Sequence, residues 1–468
     1  MSYTEPVFFL FYAVTFATYY SLRSGRLQVG LLVLTSLFFY AWQAPAILAV
    51  FLCSWLITGV TSYCVLASRN QRRAKLLATL GVVTNLALLA FFKYKFLVLP
   101  ATGASAAAVS SVGEWLLLAP LPIGISFYTF HGISLLVDVF RGNKAIALDR
   151  SVTAARYLMD TLLYLVFFPQ LIAGPIIKAK DFMPQVATKR FSEIDFPACF
   201  RVLVLGYFLK SVVADNLSSQ TVGITYPYFQ LRSSADLWVM LLGYSAQIFA
   251  DFAGYSFIAI GLARLLGYRL PDNFNFPYVA TSISDFWRRW HISLSSWLRD
   301  YLYIPLGGSK KGEVRTYVNL LIVMLLGGLW HGAAWSFAVW GLWHGIGLAL
   351  ERRWLNSRFM STTHRGVVGL RMLLVFTFVT LGWLFFKLQD FGQATQYLRA
   401  MFSNPARSVS TGATFLIVLY GSAVALYHLA SLAKDRIPVP FKNLAYGTML
   451  FLIVTNPGPS TPFIYFQF

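Results

Sequence analysis

The sequence predicts an all-α, polytopic membrane protein, and three observations carry that prediction. Of its 468 residues, 57% are hydrophobic and only 12% charged, with a mean hydropathy of +0.62. Apolar runs of bilayer length recur from one end to the other. Basic residues gather in short connectors between those runs, as they do at cytoplasmic loops.

The elements follow in order. Pro6 to Leu22, Val29 to Tyr40, Ile47 to Ala67, Leu76 to Phe92, Leu121 to Phe140 and Leu162 to Ile177 are long and apolar enough to span or re-enter a bilayer. Leu237 to Leu266, Tyr317 to Leu350, Leu370 to Phe386, Phe415 to Leu432 and Tyr446 to Val454 complete about eleven hydrophobic elements, some of them broken or re-entrant. The first basic residue is Arg23, so the first run has no charged leader region and is expected to stay as a helix. Arg69, Arg72, Arg73 and Lys75 crowd one connector, whereas Phe96 to Pro120 carries only Glu114 as a charged residue. The basic connector is therefore expected on the cytoplasmic side, with the N-terminus outside, and Arg141, Lys144 and Arg150 agree with that orientation.

The net charge of +20, from 38 basic and 18 acidic residues, is scattered through the connectors, which points to topology and anionic lipid and away from nucleic acid. Some of the excess would suit an anionic cytoplasmic ligand such as a coenzyme's phosphates. Cys53, Cys64 and Cys199 have neither metal-ligand spacing nor the even count of a disulfide framework. The longest polar stretches, Lys178 to Pro197 and Arg269 to Tyr317, read as connectors, so residues 1–468 are expected to form a single membrane-embedded domain.

Three places set polar groups in apolar surroundings. Gln247, Asp251 and Tyr255 recur at four-residue spacing on one helix face. Asp251 reads either as a carboxylate paired with an arginine of another helix or as a channel-lining group. In Ser284 to Asp300, helical spacing puts Trp287, His291, Leu294 and Leu298 on one stripe, with Arg288, Ser295 and Arg299 on the next. That predicts an interfacial amphipathic helix in which His291 either packs and caps or serves the chemistry.

The third place holds a repeated triplet, Trp330-His331-Gly332 and Trp343-His344-Gly345. Thirteen positions is about 3.6 helical turns, so on an unbroken helix the two rings would face different sides. Gly327, Gly328 and Gly332 around His331 favour a break or a close backbone approach there, which leaves His344 in regular helix as a packing residue. A buried neutral imidazole can take a proton from a hydroxyl, which suits direct transfer of an acyl group from a thioester to an alcohol. The sequence has no metal-type spacing, and a proton-coupled transporter is the alternative on these features alone.

The segment 249–352 resembles the membrane-bound O-acyltransferase superfamily, in its bacterial alginate O-acetyltransferase-like branch. The matching pieces run from Phe249 to Ser256, from Asp285 to Ser295, from Arg299 to Gly308 and from Gly328 to Ala333, with outlying pieces at Pro122 to His131, Phe167 to Pro175 and Pro462 to Phe468. The resemblance implies a ring of membrane helices around a central tunnel, with His331 as catalytic base and His291 as its companion. Asp251, Arg288 and Arg299 are weaker candidates for positioning. It further implies acetyl-coenzyme A, or else a carrier-protein thioester, as acyl donor with no bound cofactor, an inner-membrane location, a periplasmic esterase-like partner, and an extracytoplasmic polysaccharide as acceptor. Within the family, a teichoic-acid D-alanyl transferase is the competing reading. A non-catalytic scaffold for polysaccharide export stands outside it.

Overall fold

The computed structural model describes residues 1–42, 45–98, 116, 119–143, 146, 153–354, 357–404, 409–433 and 436–464. Glu114, Lys144, Arg150 and the final four residues of the family-like C-terminal piece lie outside these. Among the described residues every regular element is helical. Seven helical stretches there are long and apolar enough to cross a membrane, and four shorter apolar helices accompany them. The chain is a multi-pass membrane protein. Its residues cluster into two compact units, Met1–Cys199 with Ala259–Pro271, and Phe200–Ile258 with Asp272–Phe468.

In the first unit, α1 (Pro6–Ser21), α2 (Gly25–Ala41), α3 (Pro45–Ala67), α4 (Gln71–Val98) and α5 (Ile125–Phe140) follow the apolar runs. α6 departs from its run. The segment expected at Leu162 to Ile177 is helical from Ala154 and stops at Val166. Phe167 leaves the helical region (φ −47°, ψ 105°), and Pro169 sits in the first turn of a one-turn helix, where its missing N–H is tolerated. Phe168 is fully buried among Phe8, Phe11 and Phe39, and its carbonyl accepts a 2.9 Å hydrogen bond from the Tyr3 hydroxyl. Buried Gln28 donates to the carbonyls of Tyr19, Leu22 and Lys189 and accepts from the Lys189 N–H, so that no part of this amide is left without a partner in the apolar interior.

A span that the apolar pattern does not reveal begins at Phe196, in the last residues of the first unit's N-terminal stretch, and continues as the opening of the second unit. α7 (Phe196–Tyr207) passes through a π-helical stretch at Phe208–Ala214 into α8 (Asp215–Thr221), giving a continuous membrane-length segment from Phe196 to Ile224. Arg201, Lys210 and Asp215 interrupt its hydrophobic run, which hides it from a count of uncharged stretches. α9 (Ser234–Leu265) has 83% of its apolar window buried inside the protein, against 17% for the lipid-facing helix Thr411–Leu432. α9 is therefore a protein-enclosed helix, which explains why it tolerates a carboxylate.

α10 (Ile283–Arg289) and α11 (Ile292–Leu298) replace the single amphipathic helix expected over Ser284 to Asp300. The apolar run from Tyr317 to Leu350 is two helices, α12 (Glu313–His331) and α13 (Trp335–Trp354), packed against each other and broken after His331, where the glycine cluster predicts a break. Glycine makes that hairpin close. A Cβ on Gly328 would fall 2.2 Å from the Phe337 carbonyl, and one on Gly341 would fall 2.3 Å from the Met324 carbonyl. Gly341 and Gly345 form the small-xxx-small pattern through which membrane helices bring backbones together. α14 (Arg365–Lys387), α15 (Phe391–Ser403), α16 (Thr411–Leu432) and α17 (Val439–Thr455) complete the unit.

Candidate functional site

His291 lies at the joint between α10 and α11, in the left-handed conformation (φ 44°, ψ 52°). The joint corrects the amphipathic-stripe reading: the helix ends at Arg289, Trp290 is extended, and His291 is the entry to a new helix rather than a member of one stripe. A non-glycine residue held there costs about 1–3 kcal/mol and persists only where its surroundings fix it.

Asn273 supplies that fixing. Its backbone carbonyl accepts the Ile292 N–H at 3.0 Å, and its Oδ1 accepts from the Ser293 N–H at 3.3 Å and the Ser293 hydroxyl at 2.8 Å. The first free N–H groups of α11 are thus satisfied from a residue 18 positions upstream of His291 rather than by a local cap. Asn273 Nδ2 in turn donates to the Ser256 hydroxyl at 3.0 Å.

The same contacts assign the tautomer of His291. A backbone N–H can only donate, so the Asn273 atom facing Ser293 N is the carbonyl oxygen, and the amide orientation is fixed. His291 Nδ1 lies 3.0 Å from that oxygen and must carry a proton to bond to it. The lone pair of the neutral ring is therefore on Nε2. Burial pushes the imidazole pKa down to about 3, so the ring is neutral at physiological pH.

His331 is the last residue of α12, immediately before the extended Gly332. It is buried, with its ring among Trp330 (5.0 Å between centroids), Trp340 (5.1 Å) and Phe386 (5.3 Å). The His291 ring centroid lies 6.5 Å away. Two histidines forty positions apart thus meet, each at a helix break. Phe252 packs edge-on to His291 at 4.6 Å, bringing the α9 motif against the same pair.

His344 lies within α13, fully buried among Phe286, Trp287, Trp340 and Phe378. The Trp340 ring packs against both His331 and His344, so the two Trp-His-Gly copies share one indole as a neighbour. Arg288 and Arg299 stand exposed, and Arg299 pairs with its neighbour Asp300 at 2.8 Å. The hydrogen bonds and ion pair described for these arginines do not involve the histidines. Among the described residues no group of three or more His, Cys, Asp or Glu side chains converges as a metal site would require.

Asp251 is paired, but with a lysine rather than the expected arginine. Its Oδ1 lies 2.8 Å from Lys210 Nζ, which also reaches Asp215 Oδ1 at 2.7 Å and the Thr461 carbonyl at 2.9 Å. Gln247 accepts from the Thr221 hydroxyl at 2.6 Å, and the Lys210 ammonium sits 5.1 Å over the Tyr255 ring. The whole Gln247-Asp251-Tyr255 face therefore meets the span from Phe196 to Ile224. Asp251 Oδ2 accepts from the Ile464 N–H at 2.8 Å, and Phe463 packs on Tyr255 at 4.7 Å and Phe252 at 5.8 Å. The cluster thus pins the segment 456–464 beside the ring that supports His291.

Asn273, Lys210 and Asp215 escape the sequence reading. The two charges had a visible signal, a lysine and an aspartate five residues apart inside an otherwise apolar run. Asn273 had only a weak one, the alternation of Asn and Phe over 273–276 in a connector.

The family model for MBOAT, the membrane-bound O-acyltransferase family, matches residues 34–389. A protein named "Probable alginate O-acetylase AlgI" from Pseudomonas putida is 35% identical over the full length of both chains. A peptidoglycan O-acetyltransferase from Helicobacter pylori is 35% identical over 79% of this chain and 73% of its own. A teichoic acid D-alanyltransferase from Bacillus subtilis is 26% identical over 58% of this chain and 69% of its own.

Proposed function

Because the chain belongs to the membrane-bound O-acyltransferase family and is an O-acyltransferase, we propose that His331 is its catalytic base and His291 the companion that positions the reacting groups. The substrate pair is a cytoplasmic thioester, acetyl-coenzyme A, and an acceptor on the extracytoplasmic side, with the acetyl group destined for a polysaccharide. The setting is the inner membrane with the N-terminus outside, and a periplasmic esterase-like partner completes delivery to the polymer.

The observation that carries this reading is the meeting of His291 and His331 in an aromatic enclosure, 6.5 Å between ring centroids. One oxygen hydrogen-bonded to a nitrogen of each ring spans about 5.6 Å, a separation that two rings so placed can offer. In the proposed step His331 takes the proton of the attacking hydroxyl. Its oxygen forms the new ester bond to the acyl carbon, the carbon–sulfur bond breaks, and the thiolate leaves to be protonated by the imidazolium. His291 Nε2, as a lone-pair acceptor, is suited to orient a hydroxyl rather than to stabilise an oxyanion. Arg288 and Arg299, exposed on the surface, suit an anionic donor's approach better than contact with the reacting atoms.

Acetyl transfer is favoured over D-alanyl transfer because the acetylating relatives match at 35% over most or all of the chain, and the D-alanylating one at 26% over 58%. Proteoliposomes given labelled acetyl-coenzyme A test the proposal. Label on a hydroxyl acceptor with wild-type protein, and none with His331→Ala at equal insertion, is the expected result. Intact donor accumulating in the lumen would instead indicate a transporter, and full acetylation by His331→Ala would remove that residue from the chemistry. His344→Phe should be the milder substitution.

A further inference from the structure

A cavity of about 420 Å³ opens between α13 and α14, away from the paired histidines. Its lining is apolar, from Ile283 and Phe378 on one side to Trp354 and Leu374, which are 64% and 53% exposed. Two charged groups interrupt it. Glu351 is committed, because its carboxylate accepts the N–H groups of Ile283 and Ser284 and so caps the start of α10.

Arg371 is not committed in the same way. It is only 9% exposed, and its two terminal nitrogens donate to the carbonyls of Met360 and Thr362. Its Nε has no hydrogen-bond partner, and no ion pair neutralises the guanidinium among the described residues. A buried cation with no ion-pair partner among the described residues is costly when the cavity's one carboxylate, Glu351, is held by backbone N–H groups, and an anion that enters the cavity relieves the cost.

The surroundings choose the anion. α14 has only 33% of its apolar window buried, so this face of the protein looks into the bilayer. The exposed Leu350, Trp354 and Leu374 present hydrocarbon, not water, at the edge of the cavity. The end of α13, the connector after it and the start of α14 add Arg352, Arg353, Arg358 and Arg365, a basic stretch of the kind that draws anionic headgroups.

We propose that this cavity is a binding site for one anionic phospholipid, its phosphate on Arg371 and an acyl chain along Ile283 and Phe378. The lipid would brace the start of α10, which Glu351 holds and which ends one residue before Trp290-His291. The site is independent of which acyl group the histidines transfer.

The test is native mass spectrometry of protein released from nanodiscs of palmitoyl-oleoyl phosphatidylglycerol and phosphatidylcholine in equal amounts. Wild-type protein is expected to retain one phosphatidylglycerol, Arg371→Lys to keep it, and Arg371→Gln to lose it at least tenfold. Leu374→Trp, at an exposed position, fills the cavity and should also expel the lipid, which keeps the test decisive if Arg371→Gln does not fold. Equal retention of phosphatidylcholine, or unchanged phosphatidylglycerol in Leu374→Trp, would overturn the proposal. So would displacement of the lipid by coenzyme A, which would make the cavity a donor site.

Discussion

Replacing Lys210 with methionine should destabilise the second unit more than any exposed substitution, because it strands two carboxylates in an apolar interior. Lys210 is fully buried, and its ammonium lies 2.7 Å from Asp215 and 2.8 Å from Asp251. At an effective dielectric of about 20, each attraction is worth about 6 kcal/mol, and desolvation of the three groups offsets most of it. Removing the cation takes away the attraction and leaves the desolvation, a penalty of about 3–5 kcal/mol when one partner of a buried pair is lost. At about 2 °C per kcal/mol for a large domain, the apparent unfolding temperature should fall by roughly 6–10 °C. Unfolding followed by tryptophan fluorescence in detergent reads this directly. Adding Asp215→Asn and Asp251→Asn to Lys210→Met should restore most of the loss, since the uncompensated charges disappear together. A single variant melting within about 1 °C of wild type, or a triple variant no better than the single, would refute the reasoning. Acyl transfer should also fall in Lys210→Met below its melting point, because Asp251 and Thr461 hold the segment whose Phe463 backs Phe252 against His291.

Three further outcomes are expected. Asn273→Ala frees the His291 tautomer and the start of α11, so labelled-acetyl transfer should drop roughly 10–100-fold at normal insertion, the scale seen when a group that orients a functional histidine is lost; Asn273→Asp, which still accepts from Nδ1, should keep more activity than Asn273→Ala. Burial lowers the pKa of His291 from its ordinary 6.5 to about 3, so between these values the unfolded chain binds a proton that the folded one refuses. The stability that His291 contributes is therefore complete above pH 6.5 and is lost as pH falls towards 3, by up to about 1.4 kcal/mol per pH unit. Unfolding temperatures at pH 7, 5.5 and 4.5 should show a steeper acid slope for wild type than for His291→Asn. Gly328→Ala drives a methyl into the Phe337 carbonyl and should cost about 2 kcal/mol or more by forcing α12 and α13 apart, whereas Gly412→Ala, with open space around it, should be close to neutral in the same melts.

The fold was legible where burial and hydropathy coincide. α1 to α5, α14, α16 and α17 fall on their apolar runs because a bilayer-facing helix needs nothing more than length and an apolar surface. The span from Phe196 to Ile224 was not legible in that way, since Lys210 and Asp215 make it look polar, and their mutual ion pair together with Asp251 and Thr461 makes those charges tolerable. Periodicity on α9 did place Gln247, Asp251 and Tyr255 on one face, and that face is where all three find partners. What periodicity could not supply was the partner's identity, because a lysine in another helix carries no local mark in the sequence around Asp251.

The histidines show the opposite limit, in which helical phase misleads because the helix does not continue. A straight helix from Ser284 to Asp300 puts His291 on a stripe with Trp287 and Leu294, but the left-handed turn at His291 re-aims everything after Trp290. A straight helix from Tyr317 to Leu350 separates His331 from His344 by phase alone. The actual separation comes from the extended Gly332 and the hairpin that follows, with Trp340 packed against both rings. The glycines at 327, 328 and 332 announced the second break, since each removes a side chain where the backbone must turn or be approached. The first break had no such warning. His291 adopts a conformation that is ordinary for glycine and uncommon for other residues, though asparagine, aspartate and histidine tolerate it best, and it does so because Asn273, from a connector with no helical pattern of its own, accepts from the joint at the main chain, the Ser293 hydroxyl and the imidazole together. Strain at His291 and its fixed tautomer thus have one cause, so a substitution at Asn273 that relaxes the backbone must also unfix the ring.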